Sequence, residues 1–459
     1  MKKILYILTL LPILALGQSQ DQNWVKTKIY KQPTTTAIQN PDVTVANTQV
    51  SYFDGLGRPI QQVAHKQSNL GNDIITHIEY DGFGRQTKEY LPYTNDAPSL
   101  DYTDATTAIS ELTGFYSSYN DGTAYPYSEK ELEASPLGRV FKQAAPGDAW
   151  FMGSGKEIKF DYQTNIANEV KLFKAIATWD ATSQLYNSSI SSPQTYYSEN
   201  QLYKTIIKDE NWTSGLGNTT EEFKNKNGQV VLKRTYNIDH KGNAEKHDTY
   251  YIYDQFGNLT FVLPPLAEGD ASQTTLDNLG YQYKYDSRNR LVEKKLPGKQ
   301  WEFIVYNTQD MPVATGPAYN PWGGTDTGWL ITKYDAFGRV VYTGWYTGRA
   351  VTSIDRTNYQ NEQMSLSFYE VVNTNYTFDN IQLGYSNKVK PINNYRVLTI
   401  NYYDDYSYPN APNVPSQVLT QNTTTSVRGL PTGSWTKVLD SNNPNASEMS
   451  YTLYDDRYR

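Results

Sequence analysis

Cysteine is absent from the 459 residues. That excludes disulfides, thiolate nucleophiles, iron–sulfur clusters and cysteine-type zinc sites. Histidine is scarce. His65, His77, His240 and His247 are the full set, and none stands in a His-Glu-x-x-His spacing that would hold a metal. Charge is sparse too, at 19%, and Lys and Arg are scattered through a chain of net charge −7, so no nucleic-acid footprint is visible. Long apolar runs are missing beyond the N-terminus. The one there, Ile4 to Leu16, has 13 residues and falls short of the roughly 20 that span a bilayer. It follows Lys2 and Lys3, and the small residues Ala15 and Gly17 stand at its end, which reads as a signal peptide over 1–17 with a cut before Gln18. The expected product is exported through a periplasm to the exterior or the cell surface, is not membrane-spanning, and carries a net charge of −9. An exported chain without cysteine also fits a bacterial source.

Aromatic residues are abundant: 40 Tyr, 14 Phe and 9 Trp. Half-buried pleated surfaces favour such side chains. With 30 Gly and 22 Pro to end short segments, a long helical bundle is excluded, and the aromatic content excludes a disordered chain. The aromatics fall in a repeat. Tyr80-Asp81-Gly82-Phe83-Gly84-Arg85, Tyr253-Asp254-Gln255-Phe256-Gly257-Asn258 and Tyr334-Asp335-Ala336-Phe337-Gly338-Arg339 are its clearest copies. Phe53-Asp54-Gly55-Leu56-Gly57-Arg58 is an early variant, and Tyr285-Asp286-Ser287-Arg288-Asn289-Arg290 has Asn in place of Gly. Tyr306-Asn307 is weaker. Leu137-Gly138-Arg139 and Asn227-Gly228-Gln229 keep the turn half, and Tyr403-Asp404 and Tyr454-Asp455 read as late degenerate copies.

One copy can be read physically. Tyr281-Gln282-Tyr283-Lys284-Tyr285 alternates and puts three tyrosines on one strand face. Asp then suits the first position of a type I turn, its carboxylate accepting a backbone N–H, and Gly suits the fourth, where positive φ is cheap. Asn289 tolerates that conformation as well. A second strand follows, so each unit predicts a hairpin. From 254 the Asp or Asn positions fall at 286, 307 and 335, in steps of 32, 21 and 28 residues. One hairpin cannot bury its own face, so neighbours must pair into a long curling antiparallel sheet.

The segments divide as an extended N-terminal arm over 18–48, a β domain over 49–150 with the first two hairpins, a repeat sheet over 151–349, and a degenerate repeat region over 350–459. Within 105–119, Ala108, Ile109, Leu112, Phe115 and Tyr116 recur at helical spacing after Asp104, which predicts a short capped helix. Residues 350–395 are rich in Asn and Ser with weak periodicity, and 408–416 reads as a loop.

The Tyr-Asp-x-x-Gly-Arg unit resembles the YD repeat of the rearrangement-hotspot (RHS) family. Ser51 to Pro59, Tyr80 to Tyr93, Ser135 to Val140, Ala145-Pro146-Gly147 and Trp150 look like the N-terminal domain of uncharacterised function found in secreted RHS proteins of Gram-negative bacteria. Val262-Leu263-Pro264-Pro265 and Lys294 to Gly298 resemble its downstream repeats. The resemblance implies a mainly β fold of consecutive antiparallel hairpin (YD) repeats forming a curled or spiral shell. Relatives include shell components of insecticidal toxin complexes, polymorphic contact-dependent toxins and teneurins. The implied partners are the rest of an RHS shell or a C-terminal toxin or cargo. The family's core segment, rich in Tyr-Tyr-Asp-Pro and Asp-Pro-x-Gly, is not found. The front of a longer product, a truncated gene and a short relative stay open.

No reactive constellation competes with this reading. The repeat Asp residues sit at one turn position, which favours capping over catalysis or calcium binding. Gly153-Ser154-Gly155-Lys156 lacks the P-loop's first Gly and has Glu157 in place of Ser or Thr. No Gly-x-Ser-x-Gly elbow is present. Trp322, Trp329 and Trp345 read mainly as sheet packing. The expectation is a scaffold segment without catalysis or cofactor that encloses, presents or docks a polypeptide. The alternative is an aromatic-rich module for cell-surface glycan or another surface partner, with outer-membrane export machinery as a further contact. A cut sheet also predicts a poorly ordered open edge over 440–459.

Overall fold

The computed structural model describes residues 22–458, apart from 32, 33, 35, 97, 119–121, 365, 366, 419, 420, 441, 442, 444, 445, 456 and 457 and the side chains of 191–194. The expected signal segment lies outside the described residues. The fold is mainly β, its strands pair antiparallel as consecutive hairpins, and helices are few. The chain forms two compact units, one holding the described residues to Phe160 with Asp209–Asn211, the other Asp161–Lys208 with Trp212 onward.

In the first unit, Asn23–Tyr30, Ala46–Phe53, Pro59–Ala64, Ile74–His77 and Tyr93–Thr94 make a five-stranded sheet in that order. Asn23–Tyr30, within the segment read as an arm, lies in full register on Ala46–Phe53. Alternation decides which side chains go inward: Val50 and Tyr52 are buried while Gln49 is exposed. Helix α1 (Ala105–Ser117) closes this core with Ala108 and Leu112. It starts where expected, because the Asp104 carboxylate accepts the N–H groups of Thr106 and Thr107.

In the second unit, fourteen strands from Tyr203–Lys208 to Ser447–Tyr451 each pair with the next. The sheet has two unlike faces. Phe223, Leu232, Tyr250, Ile252, Phe261 and Leu263 are buried on one of them. Tyr251, Tyr253, Tyr281, Tyr283 and Tyr285 stand half-buried on the other. The buried face is covered by the chain itself. The hairpin Lys171–Asp180 with Leu185–Tyr196, helix α2 (Gln273–Asn278), helix α3 (Ser353–Gln363) and the hairpin Val372–Phe378 with Ile381–Tyr385 all pack there.

Both α3 and the second of those hairpins fall in the stretch 350–395, where the sequence showed little periodicity. Of the stretch 440–459, where an open edge is expected, Ser447–Tyr451 lies on Gly433–Lys437 and Tyr454–Asp455 on Thr423–Thr424, while 441, 442, 444, 445, 456, 457 and 459 lie outside the described residues.

Candidate functional site

The repeat residues come together in a series of turns. In the copy at Asp81, the backbone closes through Asp81 N–H to Arg85 O at 2.8 Å and Gly84 N–H to Asp81 O at 2.9 Å. The Asp81 Oδ1 accepts the N–H of Phe83 and of Arg85, at 2.9 and 2.8 Å. Its Oδ2 takes Arg85 Nε at 2.9 Å and Nη2 at 2.8 Å. Gly84 adopts φ +77°, where a side chain would be strained. This is a type I turn closed by a left-handed residue, so each hairpin carries a bulge at the position before the Asp.

The same set holds at Asp54, Gly57 and Arg58, and at Asp335, Gly338 and Arg339. Asp286 keeps it with Asn289 at φ +57° and Arg290 as the bound cation. Asp254 and Gly257 keep it with Asn258 in place of Arg. Asn225 and Asn307 do the backbone part with an amide oxygen. Two variants were not legible as full copies. Asp239 caps a turn ending at Asn243, and Glu133 reaches Arg139 from two residues upstream of its turn.

Tyrosine links one repeat to the next. The hydroxyl of Tyr80 donates to Pro59 O, Tyr253 to Val230 O and Tyr285 to Leu259 O. Tyr306 donates to Leu291 O, Tyr334 to Pro312 O, Tyr403 to Val340 O and Tyr454 to Pro431 O. In every case the acceptor lies two residues past the left-handed position of an earlier hairpin. Phenylalanine cannot make this bond, which gives a reason for tyrosine at these positions. Phe53, in the first copy, has no earlier turn of this kind to reach among the described residues.

Arginine adds a second link. After binding its own Asp, Arg58 lies over the Tyr80 ring, Arg290 over Tyr306 and Arg339 over Tyr403, at 4.4, 4.9 and 4.4 Å from the centroids. Arg290 also reaches Asp310, and Arg339 reaches Asp404, the late copy that forms no tight turn of its own. Tyr285→Phe is therefore expected to cost about 0.5–1.5 kcal/mol by urea unfolding, because Leu259 O loses its donor. Tyr283→Phe, whose hydroxyl makes no such link, is expected to be near neutral; equal costs would remove the link as the cause.

These turns hold ionised carboxylates. The backbone N–H of Arg58 and of Arg85, aided by their guanidinium groups, keeps Asp54 and Asp81 below the ordinary carboxylate range. The Arg139 side chain draws Glu133 down to about 2. A carboxyl depressed in the folded state contributes stability that is complete above its unfolded value of about 4 and is lost as pH falls through the folded value. The melting temperature is thus expected to hold near pH 5 and to fall between about pH 4 and pH 2. A midpoint unchanged down to pH 2 would contradict this assignment.

Chemistry beyond capping is not offered by these groups, whose oxygens are taken by backbone and arginine. Among the described residues, no three metal-ligating side chains form a cluster, and no helix is long and apolar enough to cross a membrane. Trp329 and Trp345 are buried in the sheet, and Trp322 packs on Trp345 beneath Arg396. The first unit has an apolar recess of about 550 Å³ beside Ala145, Pro146 and Trp150.

Buried charge escaped the sequence reading. Lys204, Arg234, Glu169, Glu221 and Asp248 form one network, Glu293 and Arg356 face each other, and Lys333 pairs with Glu370. A signal was available for Lys333. It follows Trp329 and Ile331 in strict alternation, which places it on the core-facing side of its strand.

No curated protein matches the chain. Among solved structures, a chain of the TcdB2-TccC3-TEV crystal structure aligns with 99% of this chain at 14% identity and a TM-score of 0.43. A chain of the Photorhabdus luminescens Tc holotoxin pore aligns with 90% at 13% identity and a TM-score of 0.41. The chain spans 20% and 19% of those chains. Residues 26–164, which hold the first two Asp-capped turns and α1, match a family described as a domain of unknown function, DUF6443.

Proposed function

We propose that the chain is an exported RHS/YD-repeat scaffold segment that presents or docks an associated polypeptide, a toxin or surface partner, without catalysis of its own. The observation that carries this reading is the turn-to-turn stitching. Aspartate, arginine and tyrosine of each repeat are used in holding the next, so the repeat chemistry is directed at a continuous framework and away from a substrate. The chain's own segments cover one face of the second unit's sheet, which favours docking on the tyrosine face over enclosure against the covered one.

The half-buried row Tyr251, Tyr253, Tyr281 and Tyr283, with the Lys294–Glu302 pair nearby, supports a second reading as a glycan-binding surface. In-cell cross-linking in the native source separates the two. The scaffold reading expects Lys233 and Lys294 to link repeatedly to one other polypeptide, or to further sequence of the same polypeptide. Retention on a glycan array with no such link favours the second reading, and turnover of a substrate by the purified chain would overturn both.

A further inference from the structure

Lys333 projects from the strand Thr327–Tyr334 into the core of the second unit, where it and Glu370 are each 1% exposed. Its Nζ lies 2.5 Å from Asn387 Oδ1, 2.5 Å from Val389 O and 3.3 Å from Glu370 Oε1. The carboxamide carbon is then at most about 3.7 Å from the amine, since a C=O bond adds only about 1.2 Å. Tyr395 donates its hydroxyl to the same Asn387 oxygen at 2.9 Å, while Tyr342 donates to Ser386 O at 3.0 Å and lies 3.4 Å from that oxygen. The Asn387 amide nitrogen donates to Ile392 O at 2.9 Å, which fixes the plane of the group. Glu370 is anchored by the N–H groups of Lys388 and Val389 and by the Ser386 hydroxyl, with Oε1 turned to the lysine. Nucleophile, acyl group, proton carrier and a donor to the acyl oxygen thus meet in one place, with Lys333 and Glu370 buried and Asn387 half-buried at its rim.

We propose that Lys333 and Asn387 are joined by an intramolecular isopeptide bond that the folded chain forms by itself, with Glu370 carrying the protons. Glu370 takes a proton from the Lys333 ammonium, and the free amine attacks Asn387 Cγ. Negative charge gathers on Oδ1, where Tyr395 donates to it. The protons leaving the attacking nitrogen pass through Glu370 to Nδ2. The Cγ–Nδ2 bond breaks, a Cγ–Nζ amide forms, and one ammonium ion is released. Lysine, carboxamide and products balance in atoms and charge, and no oxidant or cofactor enters.

Two features favour the reaction. Burial lowers the Lys333 amine to about 8, partly opposed by Glu370, so about a tenth of it is free base at pH 7 and a larger share above it. Burial of Lys333 and Glu370 also limits the water that reaches the amine and its proton carrier. The bond would close a 54-residue span from a sheet strand to the segment after the hairpin Val372–Phe378/Ile381–Tyr385, in a chain that has no cysteine with which to make a covalent brace.

A tryptic map of the full-length chain tests this. The expected result is one species in which Gln300–Arg339, uncut at Lys333, is joined to Thr357–Lys388, with a mass about 17 Da below the sum of the two peptides, the mass of ammonia. Mapping is needed because cyclisation of an N-terminal Gln18 would lower the intact mass by the same amount. Cleavage after Lys333 and recovery of Thr357–Lys388 as a linear peptide would overturn the proposal and leave Lys333 as a hydrogen-bonded buried amine. Glu370→Gln is expected to leave both peptides unlinked in a chain of unchanged circular dichroism; a full link in that variant would remove Glu370 from the chemistry. If Glu370→Gln does not fold, the map of the unaltered chain still decides.

Discussion

Replacing Arg234 by methionine is expected to destabilise the second unit by about 3–5 kcal/mol, because it takes the closest cation from buried Asp248 and leaves Lys204 alone between Glu169 and Glu221. Arg234 is itself buried. Its guanidinium binds Asp248 at 2.6 and 3.0 Å, faces Glu221 at 3.5 Å and donates to Glu169 O at 3.3 Å. Lys204 closes the network on Glu169 and Glu221, at 2.8 Å each. Burial pushes the Asp248 carboxyl up, and Arg234 more than reverses this, holding it below the ordinary range. Without Arg234 the burial contribution at Asp248 is opposed only by the more exposed Lys246, 3.4 Å away, and charged Asp248 becomes a cost. That cost is relieved as acid protonates it, so the stability gap between variant and parent is expected to narrow from pH 7 toward pH 4. Urea unfolding at the two values measures both points. Lys142→Met is the control: its pair with Glu131 is well exposed, and such pairs contribute less than about 1 kcal/mol. Equal losses in the two variants would mean that the Arg234 network is as hydrated as a surface pair.

How much of this was legible depends on the distance over which each feature is encoded. The turns are local. Asp, a left-handed Gly or Asn, and Arg or Asn lie within five residues, so Asp81 to Arg85 or Asp286 to Arg290 can be read from sequence and sterics alone. The tyrosines were legible as a strand face but not as links, because Tyr285 finds its acceptor 26 residues back. Helix α3 was missed for a different reason. The face it buries holds one aromatic ring, Tyr359, beside Arg356, Thr357, Gln360 and Gln363, which bond to Ser183, Tyr306 and Lys390 backbone, so no apolar stripe marks it. Asn387 and Glu370 carried no signal at all. They meet Lys333 only after two hairpins have paired, and nothing in their neighbours' hydropathy points inward.

Trp329→Ala is expected to cost about 3–5 kcal/mol and, in the same variant, to release α3 from the sheet. Trp329 is fully buried and stands edge-on to Tyr359 of α3, with ring centroids 5.8 Å apart. Its Nε1–H donates to Ala350 O, three residues before the helix. Gly316 is kept free of a side chain here, since a Cβ would come within 3.2 Å of the indole. The helix has 11 residues, and isolated helices below about 12–15 are marginal in water. It therefore depends on what it rests upon, and the indole, with Tyr346, holds the Tyr359 ring that anchors it. Its polar contacts depend on the same seating: Gln360 brackets the backbone N–H and C=O of Tyr306 only while Tyr359 is held one residue before it. Hydrogen exchange should accordingly show amides 356–363 losing protection in Trp329→Ala, while those of Val50 and Tyr52 in the first unit keep theirs. Uniform loss in both units would mean that the variant fails globally. Full protection of α3 together with a large loss of stability would mean that its polar contacts hold it without the tryptophan.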